Sequence, residues 1–159
     1  MHTKELFDEV QKENIYIHEM DFKGDLKGLY SDGVIALDRN LKTDAEISCI
    51  LSEELGHHYT TYGDIVGKKD IQSIKQEKRA RRWAYERLIG INSILKACEA
   101  GTRNLYEMAD YLCVTEEFLQ DSLDYYKQKY GIMLQLDSYI VYFEPSLVIF
   151  QKKYSEIRF

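Results

Sequence analysis

The run Ser52-Glu53-Glu54-Leu55-Gly56-His57-His58-Tyr59 holds the side chains of this chain best suited to chemistry. It continues an apolar series at helical spacing (Ile47, Ile50, Leu51, Leu55), so it is expected to be helical itself. Residues i and i+4 share a helix face. Glu53 and His57 are therefore aimed at one point, with Glu54 offset to the side where a water would sit. This is the layout of a His-Glu-x-x-His helix, in which two metal ligands flank a general base and an ion-activated water does hydrolysis. Here glutamate stands at the first ligand position. His58, four residues after Glu54, offers a second register, but that register puts Leu55 where the base should be. The plain alternative is a polar helix face with no ion, since short motifs recur by chance.

A catalytic zinc site takes three protein ligands and keeps one open position. The third ligand should come from a neighbouring helix, and Glu77, 20 residues past His57, is the candidate. It opens Glu77-Lys78-Arg79-Ala80-Arg81-Arg82-Trp83-Ala84, where Ala80 and Ala84 are small enough for close helix packing. Carboxylates bind zinc at about the distance imidazole does. Two carboxylates with one imidazole lower the formal charge of the centre by one, which weakens the ion as a Lewis acid. An oxygen-rich site also lets Mn2+ or Fe2+ compete with Zn2+. Tyr59, Tyr62 and Tyr85 are near enough in sequence to serve as accessory oxyanion donors.

The elements that must position these groups are legible in outline. Residues 3–13 carry Leu6, Phe7 and Val10 at helical spacing, and residues 14–18 alternate like a strand. Residues 27–30 and 33–37 flank an Asp-Gly turn, a hairpin signal. Thr43 or Asp44 should cap the motif helix, with Glu46 placed for a capping box with Thr43. That helix is expected to end near Tyr59, with Gly63 closing the segment and residues 64–73 forming a loop. The apolar series Ile74, Ala80, Trp83, Ala84, Leu88, Ile91, Leu95 predicts one long amphipathic helix from Ser73 to about Cys98. Its outer face is basic (Lys75, Lys78, Arg79, Arg81, Arg82, Arg87): a solvated surface, or a contact for an acidic partner.

Helices are expected over residues 104–112 and 116–129, the second ending at Gly131, and one or two strands in the tail from Met133 to Phe150. The pair over 105–126 has helix-turn-helix spacing. A DNA-reading helix needs cations near phosphates, whereas this one offers Glu116, Glu117, Asp121 and Asp124. It reads better as a packing unit or a protein-docking surface. The fold class is α+β: helices around a small antiparallel sheet, one domain over residues 1–159.

Composition agrees. Hydrophobic residues make 45% and charged residues 30% of the 159, as in a soluble globular domain. A net charge of −6 argues against nucleic-acid binding through the overall field. The N-terminal residues carry acids and no apolar core, so a signal peptide is not expected, nor is a membrane span. Thirteen tyrosines suit the wet rim of a core. Cys49, Cys98 and Cys113 lack metal or pairing spacing and read as buried, reduced thiols of a cytoplasmic protein. His2 and His18 are isolated.

Gly28-Leu29-Tyr30 through Leu37, then Ile50 to Thr61, then Glu77-x-x-Ala80-x-x-Trp83-Ala84-x-x-x-Leu88 together resemble the ImmA/IrrE family of metallo-endopeptidases. The likeness is specific over about residues 25–95, a motif core, and vaguer over the helical and β part at about 102–159. It implies a zincin-like helical core in which Glu53, His57 and Glu77 hold the metal and Glu54 is the base. It also implies a partner: a helix-turn-helix repressor of a phage or mobile element, cleaved or inactivated. The same fold acting by sequestration alone is the alternative, kept open by glutamate at position 53.

Overall fold

The motif helix starts where its capping signal puts it. Thr43, in extended backbone, accepts from the Glu46 amide through its hydroxyl, and the Glu46 carboxylate accepts from the Thr43 amide, a reciprocal box. The computed structural model describes residues 2–61 and 71–152, and among them lie six helices and six strands in an α+β arrangement. In chain order they are α1 (His2–Lys12), β1 (Tyr16–Met20), β2 (Gly28–Ser31), β3 (Val34–Asp38), α2 (Asp44–Thr60), α3 (Ile71–Leu88), α4 (Ile91–Glu99), α5 (Leu105–Leu112), α6 (Glu116–Tyr130), β4 (Met133–Gln135), β5 (Tyr139–Tyr142) and β6 (Val148–Gln151).

The first sheet has the order β1-β3-β2. β2 and β3 form the expected hairpin, with Asp32 and Gly33 both at positive φ in its turn. β1, however, runs parallel to β3, with Tyr16 opposite Val34 and Met20 opposite Asp38, so this sheet is mixed rather than antiparallel. The reason is the segment between β1 and β2, which stays at one end of the sheet and skips a strand position, so that β2 runs back and β3 enters between them. The tail makes a separate antiparallel sheet of three short strands, β4-β5-β6.

The single long helix expected from Ser73 to Cys98 is two. α3 stops at Leu88, and Gly90 in extended backbone caps α4. Apolar periodicity continues across the break because Ile89 and Ile94 both enter the core at 1% exposure or less. The expected loop over 64–73 is helical from Ile71 onward; Tyr62, Gly63 and residues 64–70 lie outside the described residues.

Helices α2 and α3 make the most extensive helix contact. Gly56 is where they touch: a Cβ there would lie 2.3 Å from the Ala80 carbonyl oxygen. Ala80 and Ala84 are fully buried, as their size foretold. The core extends from Leu6 of α1 through Ile35, Leu51, Leu55 and Leu88 to Leu119 of α6 and Val141 of β5. The Tyr126 hydroxyl donates to the Ile89 carbonyl at 2.6 Å, which ties α6 to the α3–α4 junction. Among the described residues no helix is long and apolar enough to cross a membrane. All three cysteines are free, Cys49 buried and the other two half-buried.

Candidate functional site

Helix periodicity delivers Glu53, Glu54 and His57 from α2, and Glu77 from α3, to one cleft of about 660 Å³. Strand β2 and the residues before it form one wall, and Thr115, Glu117, Phe118 and Asp121 at the start of α6 form another. The pair read as a packing or docking unit thus closes the cleft with its acidic end. A larger cavity, about 940 Å³ among α4, α5, α6 and the β5–β6 connection, has no histidine in its lining and shares no residue with the first. Its size does not bring it chemistry.

His57 and Glu77 stand together: Nε2 is 3.3 Å from Oε2. The other ring nitrogen, Nδ1, hydrogen-bonds the Thr61 hydroxyl at 3.1 Å. A hydroxyl both donates and accepts, so Thr61 serves either imidazole tautomer and leaves Nε2 facing the cleft. Burial works to lower the His57 pKa, but the Glu77 hydrogen bond and the charges of Glu54, Glu77 and Glu53 outweigh it and the pKa rises. Glu77 is pulled below the usual carboxylate range, first by its hydrogen bond with His57.

Glu54 is 8% exposed. Burial pushes its carboxyl up to about 7, with Glu53 and Glu77 adding to the rise while His57 opposes it. A carboxyl near neutral suits proton transfer at working pH. It accepts the backbone N–H of Tyr30, which β2 turns away from β3 and toward α2. Gly28 makes room for it, since a Cβ there would meet Glu54 Oε1 at 2.6 Å and Ile50 Cγ2 at 2.5 Å. Glu53 is also raised, by burial first, with the charge of Arg81 opposing.

The chemistry of the donor set, two carboxylates and an imidazole whose second nitrogen is held, fits a divalent ion of the zinc kind. The arrangement is not closed, however. Among the described residues no three His, Cys, Asp or Glu side chains are grouped tightly enough to hold an ion as they stand. His57 and Glu77 are in contact, and Glu53 lines the same cleft one helical turn before His57.

The accessory residues are placed elsewhere. His58 turns toward β2 and the end of α1: its Nδ1 pairs with the Tyr30 hydroxyl at 2.8 Å and its Nε2 lies 3.5 Å from Glu13, just after α1. The Tyr59 hydroxyl donates to Glu9 of α1 at 3.0 Å, and its ring lies against Trp83. A helix turns about 100° per residue, and that rotation carries His58 and Tyr59 round α2 from His57 to the partners they hold. Tyr85 is buried against Phe118 and Tyr125 rather than lining the cleft. Tyr62 is outside the described residues. Of the basic strip, Arg87 is held by Glu9 at 3.0 Å and Arg81 lines the cleft, so neither is mere solvated surface.

Sequence reasoning missed Thr61, Arg81, Gly28 and the Tyr30 amide. Thr61 and Arg81 were findable: each lies four residues beyond a named ligand, His57 and Glu77, on the same helix face. The Tyr30 amide carries no sequence signal. Compared with family models, curated proteins and solved structures, the chain matches none. The fold and cleft define an α+β protein with a carboxylate–imidazole site between two closely crossed helices.

Proposed function

We propose that the protein is a cytoplasmic, metal-dependent endopeptidase that cleaves a helix-turn-helix repressor of a phage or mobile element. The observation that carries the enzymatic part is the convergence of Glu53, Glu54 and His57 from α2 with Glu77 from α3 on one cleft walled by β2. The repressor as substrate rests on the resemblance of residues 28–37, 50–61 and 77–88 to the ImmA/IrrE metallo-endopeptidases.

Glu53, His57 and Glu77 would hold the ion, Zn2+ first and Mn2+ or Fe2+ as alternatives. When bound, it supplies a positive charge that polarises the scissile carbonyl and makes water easier to deprotonate. Glu54 takes the proton from that water and returns it to the departing amine. Tyr30 holds the Glu54 carboxylate in place through its amide, and Thr61 fixes the His57 ring. Burial of Glu54 keeps competing water away from the proton being moved.

A non-catalytic module that sequesters the repressor is the second reading. It is favoured by the His57–Glu77 contact, which satisfies both side chains without an ion. Incubating the protein with the repressor, with and without chelator, separates the two. Cleavage abolished by chelator supports the enzyme; binding without cleavage under metal-replete conditions sinks it in favour of the module.

A further inference from the structure

The cleft contains a cation, Arg81, that neither holds the ion nor moves a proton in this scheme. Arg81 follows Glu77 by one helical turn on α3, so both reach from the same helix face into the space lined by Glu53, Glu54 and His57. Other arginines near the fold's joints are committed: Arg39 to Asp21 at 3.0 Å, Arg87 to Glu9 at 3.0 Å. Among the described residues no carboxylate oxygen lies within 4.0 Å of Arg81. Its charge therefore acts across the cleft instead of being spent in one pair.

We propose that Arg81 is the fixed counter-charge of the centre: it offsets the extra negative charge that glutamate brings at position 53, and so limits how tightly the cleft holds a divalent cation. This rests on the metal reading above. A His-Glu-x-x-His centre with one further carboxylate ligand keeps one unit more positive charge than a centre with Glu53. A guanidinium beside Glu53 and Glu77 restores that unit without occupying a ligand position. Asp121, which faces the same space from α6, deepens the negative field that Arg81 answers. Arginine suits the task because it stays charged at every working pH. It stands at the exposed mouth of the cleft, so its effect is partly screened by solvent and falls with salt.

The sign of the effect separates this role from a structural one. A guanidinium that merely braced the site would weaken metal binding when removed; a counter-charge strengthens it. Zinc titration by calorimetry at low salt on wild type, Arg81→Gln and Arg81→Lys reads the difference. The expected result is zinc binding roughly tenfold tighter in Arg81→Gln, near-wild-type affinity in Arg81→Lys, and a gap that narrows in high salt. Equal or weaker binding in Arg81→Gln, with zinc still bound by wild type, overturns the role of Arg81 and leaves the metal reading standing. Zinc bound by Arg81→Gln but not by wild type supports it strongly. Zinc bound by none of the three overturns the metal reading and the counter-charge with it. Thermal unfolding in chelator checks that each variant is folded, and Arg81→Met provides a second neutral substitution should Arg81→Gln fail that check.

Discussion

Gly56→Ala sets two physical effects against each other at the point that positions the site. Alanine is the better helix former by about 1 kcal/mol, so propensity alone predicts a more stable protein. The crossing predicts the opposite. The new Cβ would lie 2.3 Å from the Ala80 carbonyl oxygen, where real Cβ contacts essentially never fall under 3.0 Å. The helices must therefore separate by at least about 0.7 Å. The obstacle is backbone, so no rotamer change relieves it. Overpacking costs about 1–3 kcal/mol, and an obstacle that is backbone puts this one in the upper part of that range, about 2–3 kcal/mol, which leaves a net loss of about 1–2 kcal/mol after the propensity gain. The same separation would draw His57 Nε2 away from Glu77 Oε2, now at 3.3 Å, and should weaken zinc binding. Urea denaturation in chelator measures the first effect and calorimetry the second. A Gly56→Ala protein as stable as wild type, or more so, would refute the close crossing of α2 and α3.

Other expectations follow from single contacts. Glu54 has its carboxyl raised from 4.5 to about 7 by burial, so folding favours the protonated form. That contribution is complete below about pH 4.5 and is lost as pH rises through 7. Metal-free Glu54→Gln should therefore exceed wild type in stability by roughly 2–3 kcal/mol at pH 8, with the gap closing toward pH 4.5; urea midpoints across that range check it, and no gain at pH 8 would count against the buried carboxyl. Thr43→Ala removes the N-cap of α2 and should lower stability by about 1 kcal/mol in the same assay. Thr61→Val frees His57 Nδ1 and should weaken zinc binding about tenfold, with an unchanged affinity showing that the hydroxyl does not orient the ring. Glu53→His should bind zinc as well as wild type or better, whereas Glu53→Ala should bind it worse; if both leave affinity untouched, Glu53 is not a ligand.

Local signals in the sequence read through to the structure. Thr43 and Glu46 gave the start of α2, Asp32-Gly33 the hairpin, and Ala80 and Ala84 the buried face of α3. The i,i+4 rule gathered Glu53 and His57, and Glu77 meets His57 where a second helix was needed. What failed depends on distant partners. The break at Gly90 hides beneath an apolar period that runs on unbroken from Leu88 to Leu95. The parallel pairing of β1 with β3 is set by the path of the chain between β1 and β2, which has no local pattern. Nearness in sequence points Tyr59 toward the site, and the i,i+4 relation to Glu54 offers His58 as a second register, yet the fold gives them to Glu9, Tyr30 and Glu13. The Tyr30 amide that holds Glu54 is a backbone group, and no side-chain pattern reports it.

Metal content of the purified protein tests the central claim most directly. Wild type and Glu77→Ala, prepared under metal-replete conditions and analysed by inductively coupled plasma mass spectrometry, should differ. The account predicts about one equivalent of zinc, manganese or iron in wild type and far less in Glu77→Ala. Wild type without metal, or Glu77→Ala with as much metal as wild type, would contradict it.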